Sequence, residues 1–257
     1  MSRHVAFEGI ENFRDFGDYA AGARRLKGGW LYRSAGHAGA TDADLERLAA
    51  MNLAVIVDLR RANERERAPS RRWPGFSTPV IENDIGQDAA DEWLSFIQGS
   101  DLTPGAFHAY MLDYYRKAPF QKRHIDLYAR YFRALAETQG PVLVHCSAGK
   151  DRTGIICALT HHVTGVHQDD IAEDYLLTND PVRLQRRMPM IREVIRETTG
   201  RTPTDEALMT AMRVEPEYLE AAFQVMCEAH GSLDGYLDQA LGLDPGLRER
   251  IHDRLFA

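Results

Sequence analysis

Residues 145 to 154 place a cysteine and an arginine at a spacing that suits chemistry on an anion. Their sequence is His-Cys-Ser-Ala-Gly-Lys-Asp-Arg-Thr-Gly, so Arg152 follows Cys146 by six positions. A cysteine thiolate is a strong nucleophile, and it is favoured beside an arginine or the N-terminus of a helix. The planar guanidinium of arginine can hold two oxygens of one phosphate. The spacing therefore predicts Cys146 as a nucleophile and Arg152 as the clamp for a phosphoryl group.

The residues around this pair suit an anion-binding loop. An apolar segment precedes the cysteine and an apolar helical pattern follows the arginine, so the loop would join a strand to a helix. Backbone N–H groups of such a loop, together with the positive end of the helix dipole, bind phosphate. Ser147, Ala148 and Gly149 are small and let the backbone curve closely around the anion. Thr153 can donate its hydroxyl to the thiolate, and His145 can orient the loop from beneath.

A nucleotide-binding P-loop is a poor alternative for this segment. That motif requires Gly-x4-Gly-Lys followed by Ser or Thr. Here Val144 stands where the first glycine should be, and Asp151 follows Lys150.

The three cysteines are few and far apart, which does not suggest a disulfide framework or a zinc site. Cys157 and Cys227 both lie in apolar helical patterns, so we interpret them as small buried core residues. A role for Cys157 as the redox partner of Cys146 is the second interpretation.

Strands and helices alternate along the first part of the chain. Apolar runs bounded by turn residues predict strands at 29–33, 53–59, 78–82 and 141–145. Apolar positions at helical spacing predict helices at 41–51, 121–138, 155–164, 169–178, 181–197, 215–229 and 233–241. The least patterned stretch, 95–106, is predicted to be a loop.

This order of elements predicts an α/β fold. We expect a central, mainly parallel sheet of four to five strands flanked by helices, with a helical elaboration at the C-terminal end. The length fits one domain over residues 1–257, in which 1–154 form the sheet and end in the anion-binding loop, and 155–257 are mostly helical.

An arginine-rich segment lies between the second and third predicted strands. Its members are Arg60, Arg61, Arg65, Arg67, Arg71 and Arg72. Such a run is either a solvated surface or a basic rim that faces a substrate. Arg60 is the best member of a rim because it directly follows a strand, and open α/β sheets bind ligands at the carboxyl ends of their strands.

The composition argues against some classes of partner. Lys and Arg number 31 against 38 Asp and Glu, and the formal charge of -7 offers no general attraction to nucleic acid or to an anionic membrane. No apolar run approaches the roughly 18 residues of a membrane-spanning helix, and the N-terminus lacks the apolar core of a signal peptide. We expect a soluble, cytoplasmic protein without integral membrane association. Secretion without a cleaved signal and the oligomeric state stay open.

The loop with its flanking strand and helix resembles the protein tyrosine phosphatase superfamily. It is more similar to the atypical bacterial tyrosine/serine phosphatases, which include secreted mycobacterial and listerial enzymes acting on phosphoproteins and phosphoinositides. Further segments match that family in the same order: 12–17 (NFRDFG), 32–35 (YRSA), 57–60 (VDLR), 217–219 (EYL), 231–232 (GS) and 236–237 (YL). The resemblance covers nearly the whole chain and implies the cysteine-phosphatase fold.

The resemblance implies a two-step mechanism through a phosphocysteine, without a metal or another cofactor. Cys146 would attack phosphorus, Arg152 and the loop amides would stabilise the transferring group, and a carboxylic acid would protonate the leaving oxygen. The family's usual acid lies in the loop after the third strand, which indicates Asp84. Asp151 is the rival acid and base, and its alternative role is to hold the loop through hydrogen bonds to backbone N–H groups. Asp88 and Asp91 are expected to begin the next helix as caps.

The resemblance also bears on the substrate. Phosphotyrosine in proteins is expected, with phosphoserine, phosphothreonine or phosphoinositides as further substrates. Lys150 resembles the extra loop cation of lipid-directed members, which can meet a second phosphate on an inositol ring; its alternative is surface solvation. Arg14 and Arg33, in the N-terminal matches, are expected to pair with acidic residues rather than to bind substrate.

Two other functions compete with hydrolysis. A phosphate-binding pseudophosphatase would recognise phosphorylated partners without turnover, but it would be favoured by loss of the cysteine or arginine, and both are present. A rhodanese-type sulfurtransferase also places a cysteine at the start of an anion-binding loop. Arg152-Thr153 and the length of the helix that follows argue against it.

Overall fold

The computed structural model describes residues 3–86 and 91–256. The strands of those residues are β1 (Arg14–Asp15), β2 (Ala20–Ala21), β3 (Arg24–Arg25), β4 (Leu31–Ser34), β5 (Val55–Asp58), β6 (Val80–Ile81) and β7 (Val142–His145). β2 and β3 form a separate hairpin, and the other five described strands form one sheet in the order β1-β4-β7-β5-β6. β4, β7, β5 and β6 run parallel, whereas β1 is antiparallel to β4. The predicted strands and the mainly parallel sheet are confirmed.

The two central strands explain why the sheet is covered on both faces. Every residue of β5 and of β7 is buried. Alternate side chains of a strand point to opposite faces. Accordingly Val55 and Val57 join one hydrophobic cluster while Ile56 joins another, on the other face. A strand buried on both faces needs a continuous apolar run, which is what the sequence has here.

The helices of the described residues surround this sheet and extend well beyond it. They are α1 (Asp42–Ala50), α2 (Ala62–Arg67), α3 (Glu92–Gly99), α4 (Pro104–Lys117), α5 (Lys122–Glu137), α6 (Asp151–Thr164), α7 (Gln168–Leu176), α8 (Pro181–Thr199), α9 (Asp205–Met212), α10 (Pro216–His230), α11 (Leu233–Gln239) and α12 (Pro245–Leu255). The helical C-terminal elaboration is therefore confirmed. None of the helices in residues 3–86 and 91–256 is both long enough and apolar enough to cross a bilayer.

The predicted loop at 95–106 is wrong. α3 runs through Gly99 and α4 begins at Pro104, so most of this stretch is helical. Both helices are capped at their N-termini, by the side chains of Asp91 and Thr103, which accept hydrogen bonds from backbone N–H groups. Ile97 of α3 and Phe107 of α4 pack with apolar residues of α8 and α9 in a hydrophobic cluster of their own that includes no residue of the sheet.

Candidate functional site

The segment after β7 forms a tight loop that leads directly into α6. His145 ends the strand, Cys146 is buried, and α6 begins at Asp151, four residues earlier than predicted. Gly149 has a φ of 64°, in the left-handed region that favours glycine. A Cβ atom at this position would overlap the carbonyl group of Ser34. The loop therefore requires glycine here.

Donors from other elements hold the carbonyl oxygens of the loop from outside. The oxygen of Gly149 accepts hydrogen bonds from Asn12 Nδ2 at 2.8 Å and from Arg33 at 3.1 Å. The oxygen of Ala148 accepts one from Arg183 at 3.0 Å. Since the C=O and N–H groups of a peptide plane point in opposite directions, these contacts turn loop N–H groups inward. The loop thereby acquires the geometry of an anion cradle.

A buried ion cluster fixes two of these donors. Arg33 donates to Asp174 Oδ2 at 2.7 Å, and Arg14 donates to Asp174 Oδ1 at 3.2 Å. Burial alone would raise the pKa of the Asp174 carboxyl, but the two arginines hold it well below its ordinary value. Arg14 also donates to Asn12, which completes the support of the loop. The expectation that Arg14 and Arg33 pair with an acidic residue is confirmed.

The guanidinium of Arg152 is held by a carboxylate that the sequence did not single out. Glu64 Oε2 accepts a hydrogen bond from NH1 of Arg152 at 2.5 Å, and Oε1 accepts one from NH2 at 2.8 Å. Ser147 Oγ also donates to Glu64. Burial alone would lower the pKa of Arg152, but Glu64 and Cys146 raise it well above its ordinary value, so the guanidinium stays charged. A buried arginine needs a nearby anion, and Glu64 is one of the two acids interleaved in the arginine-rich segment.

Asp151 lies at the first turn of α6 and is one of the residues that line the cleft above the loop. Its Oδ1 accepts a hydrogen bond from the hydroxyl of Tyr115 at 2.9 Å. The hydroxyl of Tyr115 in turn accepts one from Tyr175 at 2.6 Å. Lys150 Nζ lies 3.6 Å from the same carboxylate oxygen.

The side chain of Lys150 is buried, so the surface-solvation alternative is wrong. Its ammonium donates to the backbone oxygens of Ala211 at 2.7 Å and Arg213 at 3.2 Å. These carbonyls lie at the C-terminal end of α9, where helical carbonyls lack intrahelical partners. Lys150 therefore connects the loop to α9.

Thr153 and His145 are both buried beneath or beside the loop. Thr153 Oγ1 makes no hydrogen bond within the described residues, so the predicted donation to Cys146 is not formed in this structure. His145 Nδ1 lies 3.4 Å from the Cys146 carbonyl, and its ring stacks on that of His37. Burial lowers the pKa of His145 to about 4, so the ring is neutral. This placement agrees with a role in orienting the loop.

Arg60 does not face the cleft, contrary to the sequence-based expectation. Its side chain is buried and donates to both carboxylate oxygens of Asp58, to the Ala68 carbonyl at 2.6 Å and to Ser70 Oγ at 2.7 Å. These contacts fix the backbone that follows β5. The physical reason is that a buried guanidinium needs an anion and further hydrogen-bond acceptors, which Asp58, Ala68 and Ser70 supply. The members of the arginine-rich segment that line the cleft are instead Arg61 and Arg67.

Asp84, likewise, is not among the described residues that line the cleft. Its exposed carboxylate forms an ion pair with Arg65 on the outer surface. Asp91 caps α3, as expected, by accepting from the N–H of Leu94 at 3.1 Å. The predicted capping role of Asp88 falls outside the described residues.

The cleft above the loop has a volume of about 300 Å³. Ser147, Ala148 and Arg152 form part of its floor, and the aromatic side chains of Trp93, Tyr110 and Tyr114 contribute to its walls. This combination suits a substrate with an anionic group and a flat apolar part. The described residues contain no group of three or more His, Cys, Asp and Glu side chains placed to hold a metal ion.

None of the three cysteines is among the described residues that line this cleft, and Cys146 is buried next to Ser147 of its floor. Cys157 is fully buried within α6, and burial raises the pKa of its thiol to about 12. A thiol with so high a pKa is a poor nucleophile, which agrees with the interpretation as a core residue. Cys227 is half-buried on α10.

Comparisons with known proteins point to one family. A model described as the tyrosine phosphatase family matches residues 5–257. A Cupriavidus necator protein, provisionally named a tyrosine-protein phosphatase, is 36% identical over 249 residues, which cover 95% of this chain and 86% of that protein. The triple specificity protein phosphatase PtpB of Mycobacterium tuberculosis is 33% identical over 259 residues, covering 90% of this chain and 92% of PtpB. The crystal structure of TpbA from P. aeruginosa aligns with 78% of this chain and 100% of its own at 18% identity, but its TM-score of 0.32 is too low to support an inference.

Proposed function

Because the chain belongs to the tyrosine phosphatase family and is a phosphoric monoester hydrolase, we propose that it releases phosphate through a phosphocysteine formed on Cys146. The observation that carries this proposal is the position of Cys146 at the start of a loop whose carbonyl oxygens at Ala148 and Gly149 are held from outside and whose far end holds the charged Arg152. The thiolate is the nucleophilic form of cysteine.

The proposed reaction has two balanced steps. In the first, a lone pair of the Cys146 sulfur forms an S–P bond while the P–O bond to the leaving group breaks. The leaving oxygen keeps that electron pair and takes a proton from a carboxylic acid. In the second, water attacks phosphorus and gives a proton to the carboxylate, while the S–P electron pair returns to sulfur. Arg152 and the loop N–H groups stabilise the charge of the transferring group in both steps.

The carboxylic acid of this scheme is assigned to Asp151. Asp151 lines the cleft and directly follows the loop that would hold the phosphate. Asp84, which the family resemblance favoured, is exposed and paired with Arg65 outside the cleft. A general acid must come within hydrogen-bond reach of the leaving oxygen, and Asp151 satisfies this requirement with less rearrangement.

The proposed substrate is a phosphotyrosine side chain in a protein. The aromatic walls formed by Trp93, Tyr110 and Tyr114 support this choice, since they can pack against a phenyl ring above the loop. Phosphoserine, phosphothreonine and phosphoinositides are further proposed substrates, because the similar PtpB is named a triple specificity phosphatase. Parallel rates on phosphotyrosine peptides, phosphothreonine peptides and phosphoinositide vesicles would rank these classes.

The mechanism is tested by the release of phosphate from an aryl phosphate. Cys146→Ser removes the nucleophile, and we expect kcat to fall by about a thousandfold or more. Arg152→Ala removes the clamp and should lower kcat/KM by about 100- to 1000-fold. Cys227→Ser is the matched control and should keep the wild-type rate, because this cysteine lies on α10. Retained activity in Cys146→Ser would rule out the phosphocysteine.

A further inference from the structure

Two buried tyrosines lie behind the proposed acid. Tyr115 on α4 and Tyr175 on α7 are both almost completely buried, and their hydroxyl groups form a chain that ends on Asp151. Neither residue lines the cleft, so neither is placed to touch a substrate. We propose that Tyr115 and Tyr175 form a positioning relay that holds the carboxyl group of Asp151 in the orientation needed for proton transfer to the leaving group. This inference rests on the proposed role of Asp151.

The direction of each hydrogen bond in the relay is fixed by chemistry. The Asp151 carboxylate can only accept, so the single hydroxyl proton of Tyr115 points to Oδ1. Tyr115 then has only its lone pairs left, so the hydroxyl of Tyr175 donates to it. Burial raises the pKa of both tyrosines well above the ordinary value. Both therefore remain protonated donors throughout the working pH range.

The relay makes the two oxygens of Asp151 unequal. Oδ1 accepts from Tyr115 and also lies near the ammonium of Lys150, at 3.6 Å. A proton on Oδ1 would oppose both contacts, so the acidic proton belongs on Oδ2. The relay thus selects which oxygen acts as the acid and limits rotation of the carboxyl group. Such positioning is worth a substantial part of the effect of a general acid.

A glycine in the helix after the loop makes room for the relay. A Cβ atom on Gly154 would lie 2.8 Å from Cε2 of Tyr175 and 3.0 Å from its Cδ2. The ring of Tyr175 therefore packs directly on the backbone of α6, and this brings its hydroxyl to Tyr115. The glycine that ends the segment 145–154 is thereby explained by the relay rather than by the conformation of the loop.

The proposal is tested by the dependence of kcat/KM on the leaving group. Phenyl phosphate has a poor leaving group that needs protonation, whereas 2,4-dinitrophenyl phosphate has a good one that does not. We expect Tyr115→Phe to lower kcat/KM for phenyl phosphate by about 10- to 100-fold and for the dinitrophenyl ester by no more than about twofold. Tyr131→Phe is the matched control, because Tyr131 is equally buried and bonds the Thr160 hydroxyl far from the loop. It should leave both values unchanged.

A second route to the same result uses the far end of the relay. Tyr175→Phe and Gly154→Ala should each steepen the leaving-group dependence in the direction of Tyr115→Phe, and thermal unfolding would verify that each variant is folded. If Tyr115→Phe and Tyr175→Phe lower the rates of both esters equally, or of neither, the relay is refuted. A different result is expected if Asp151 is not the general acid. In that case Asp151→Asn would also keep the wild-type leaving-group dependence.

Discussion

The Glu64 carboxylate binds one edge of the Arg152 guanidinium, the edge formed by NH1 and NH2. A guanidinium has a second edge, formed by Nε and the remaining hydrogen of NH2, which can engage two phosphate oxygens. The ion pair therefore orients the arginine while leaving an edge for substrate. Charge alone does not position a long side chain, and the carboxylate supplies the missing constraint.

Replacing Glu64 should lower kcat/KM, although Glu64 itself is not proposed to contact the phosphoryl group. We expect Glu64→Ala to lower kcat/KM by about 10- to 100-fold, because a misplaced clamp stabilises the transition state poorly. Glu64→Gln, which keeps the shape, should have a smaller effect. Affinity for vanadate, measured by inhibition, should fall in the same order. Glu66→Gln on the exposed side of α2 is the control. Tighter vanadate binding in Glu64→Ala would mean that Glu64 competes with the phosphate instead.

At the scale of elements, Lys150 links the loop to α9. Its ammonium caps the last carbonyls of this helix, and Ala211 at the end of α9 also lines the cleft. α9 packs against α4 and α8 through the hydrophobic cluster that includes no residue of the sheet. The position of this cleft wall therefore depends on a residue of the loop as well as on apolar packing.

We expect Lys150→Met to loosen α9, since the apolar stem is kept while the ammonium contacts are lost. The measurement is backbone hydrogen exchange in peptides that cover Asp205–Met212, which should become faster than in the wild type. Lys117→Met is the control, because the ammonium of Lys117 is exposed and pairs within its own helix. Unchanged exchange in α9 would show that apolar packing alone fixes this wall.

The sequence predicted most accurately the elements with a continuous apolar run or a clear apolar stripe. β5, β7 and α5 each bury a continuous run or one clear stripe, so their pattern is strong. α3 and α9 were missed because each has only eight residues and packs against other helices rather than the sheet. The two-residue strands β1 to β3 are too short to produce any pattern.

The same limit applies to the candidate site. Cys146 and Arg152 lie six positions apart in one short segment, so their spacing in the sequence was enough to predict them. Glu64 and Tyr115 lie 88 and 36 residues from their partners, and only the tertiary structure brings them there. Arg60 was misplaced for a related reason, because its position after β5 says nothing about the direction of its side chain.

At the scale of the whole molecule, the C-terminal residues of the described chain bind residues 26–27, just after β3. The N–H of Lys27 donates to the carbonyl of Leu255 at 2.8 Å, and Leu26 pairs with Phe256 in an antiparallel bridge. Arg254 donates to the carbonyl of Leu135 at 2.8 Å and so ties α12 to α5. These contacts support the interpretation of residues 1–257 as one domain, which stays a prediction.

Buried histidines make the stability of the whole fold depend on pH. Those at positions 37, 124, 145 and 161 are almost completely buried. Burial lowers the pKa of each, to about 4 for His145 and well below the ordinary value for His37 and His124. In the unfolded chain the same rings titrate near their ordinary value of about 6.5. The folded protein therefore binds fewer protons than the unfolded chain between these two pH values.

The free energy of unfolding should consequently fall as the pH decreases from about 7 to about 4, before most carboxylates are protonated. Each buried histidine contributes at most about 1.4 kcal/mol per pH unit in that interval, because it excludes one proton that the unfolded chain binds. Urea unfolding at a series of pH values measures the slope. His167→Gln should leave it unchanged, since the side chain of His167 is 74% exposed. A free energy of unfolding that is constant from about pH 7 to about pH 5 would show that these rings are protonated in the folded protein as well.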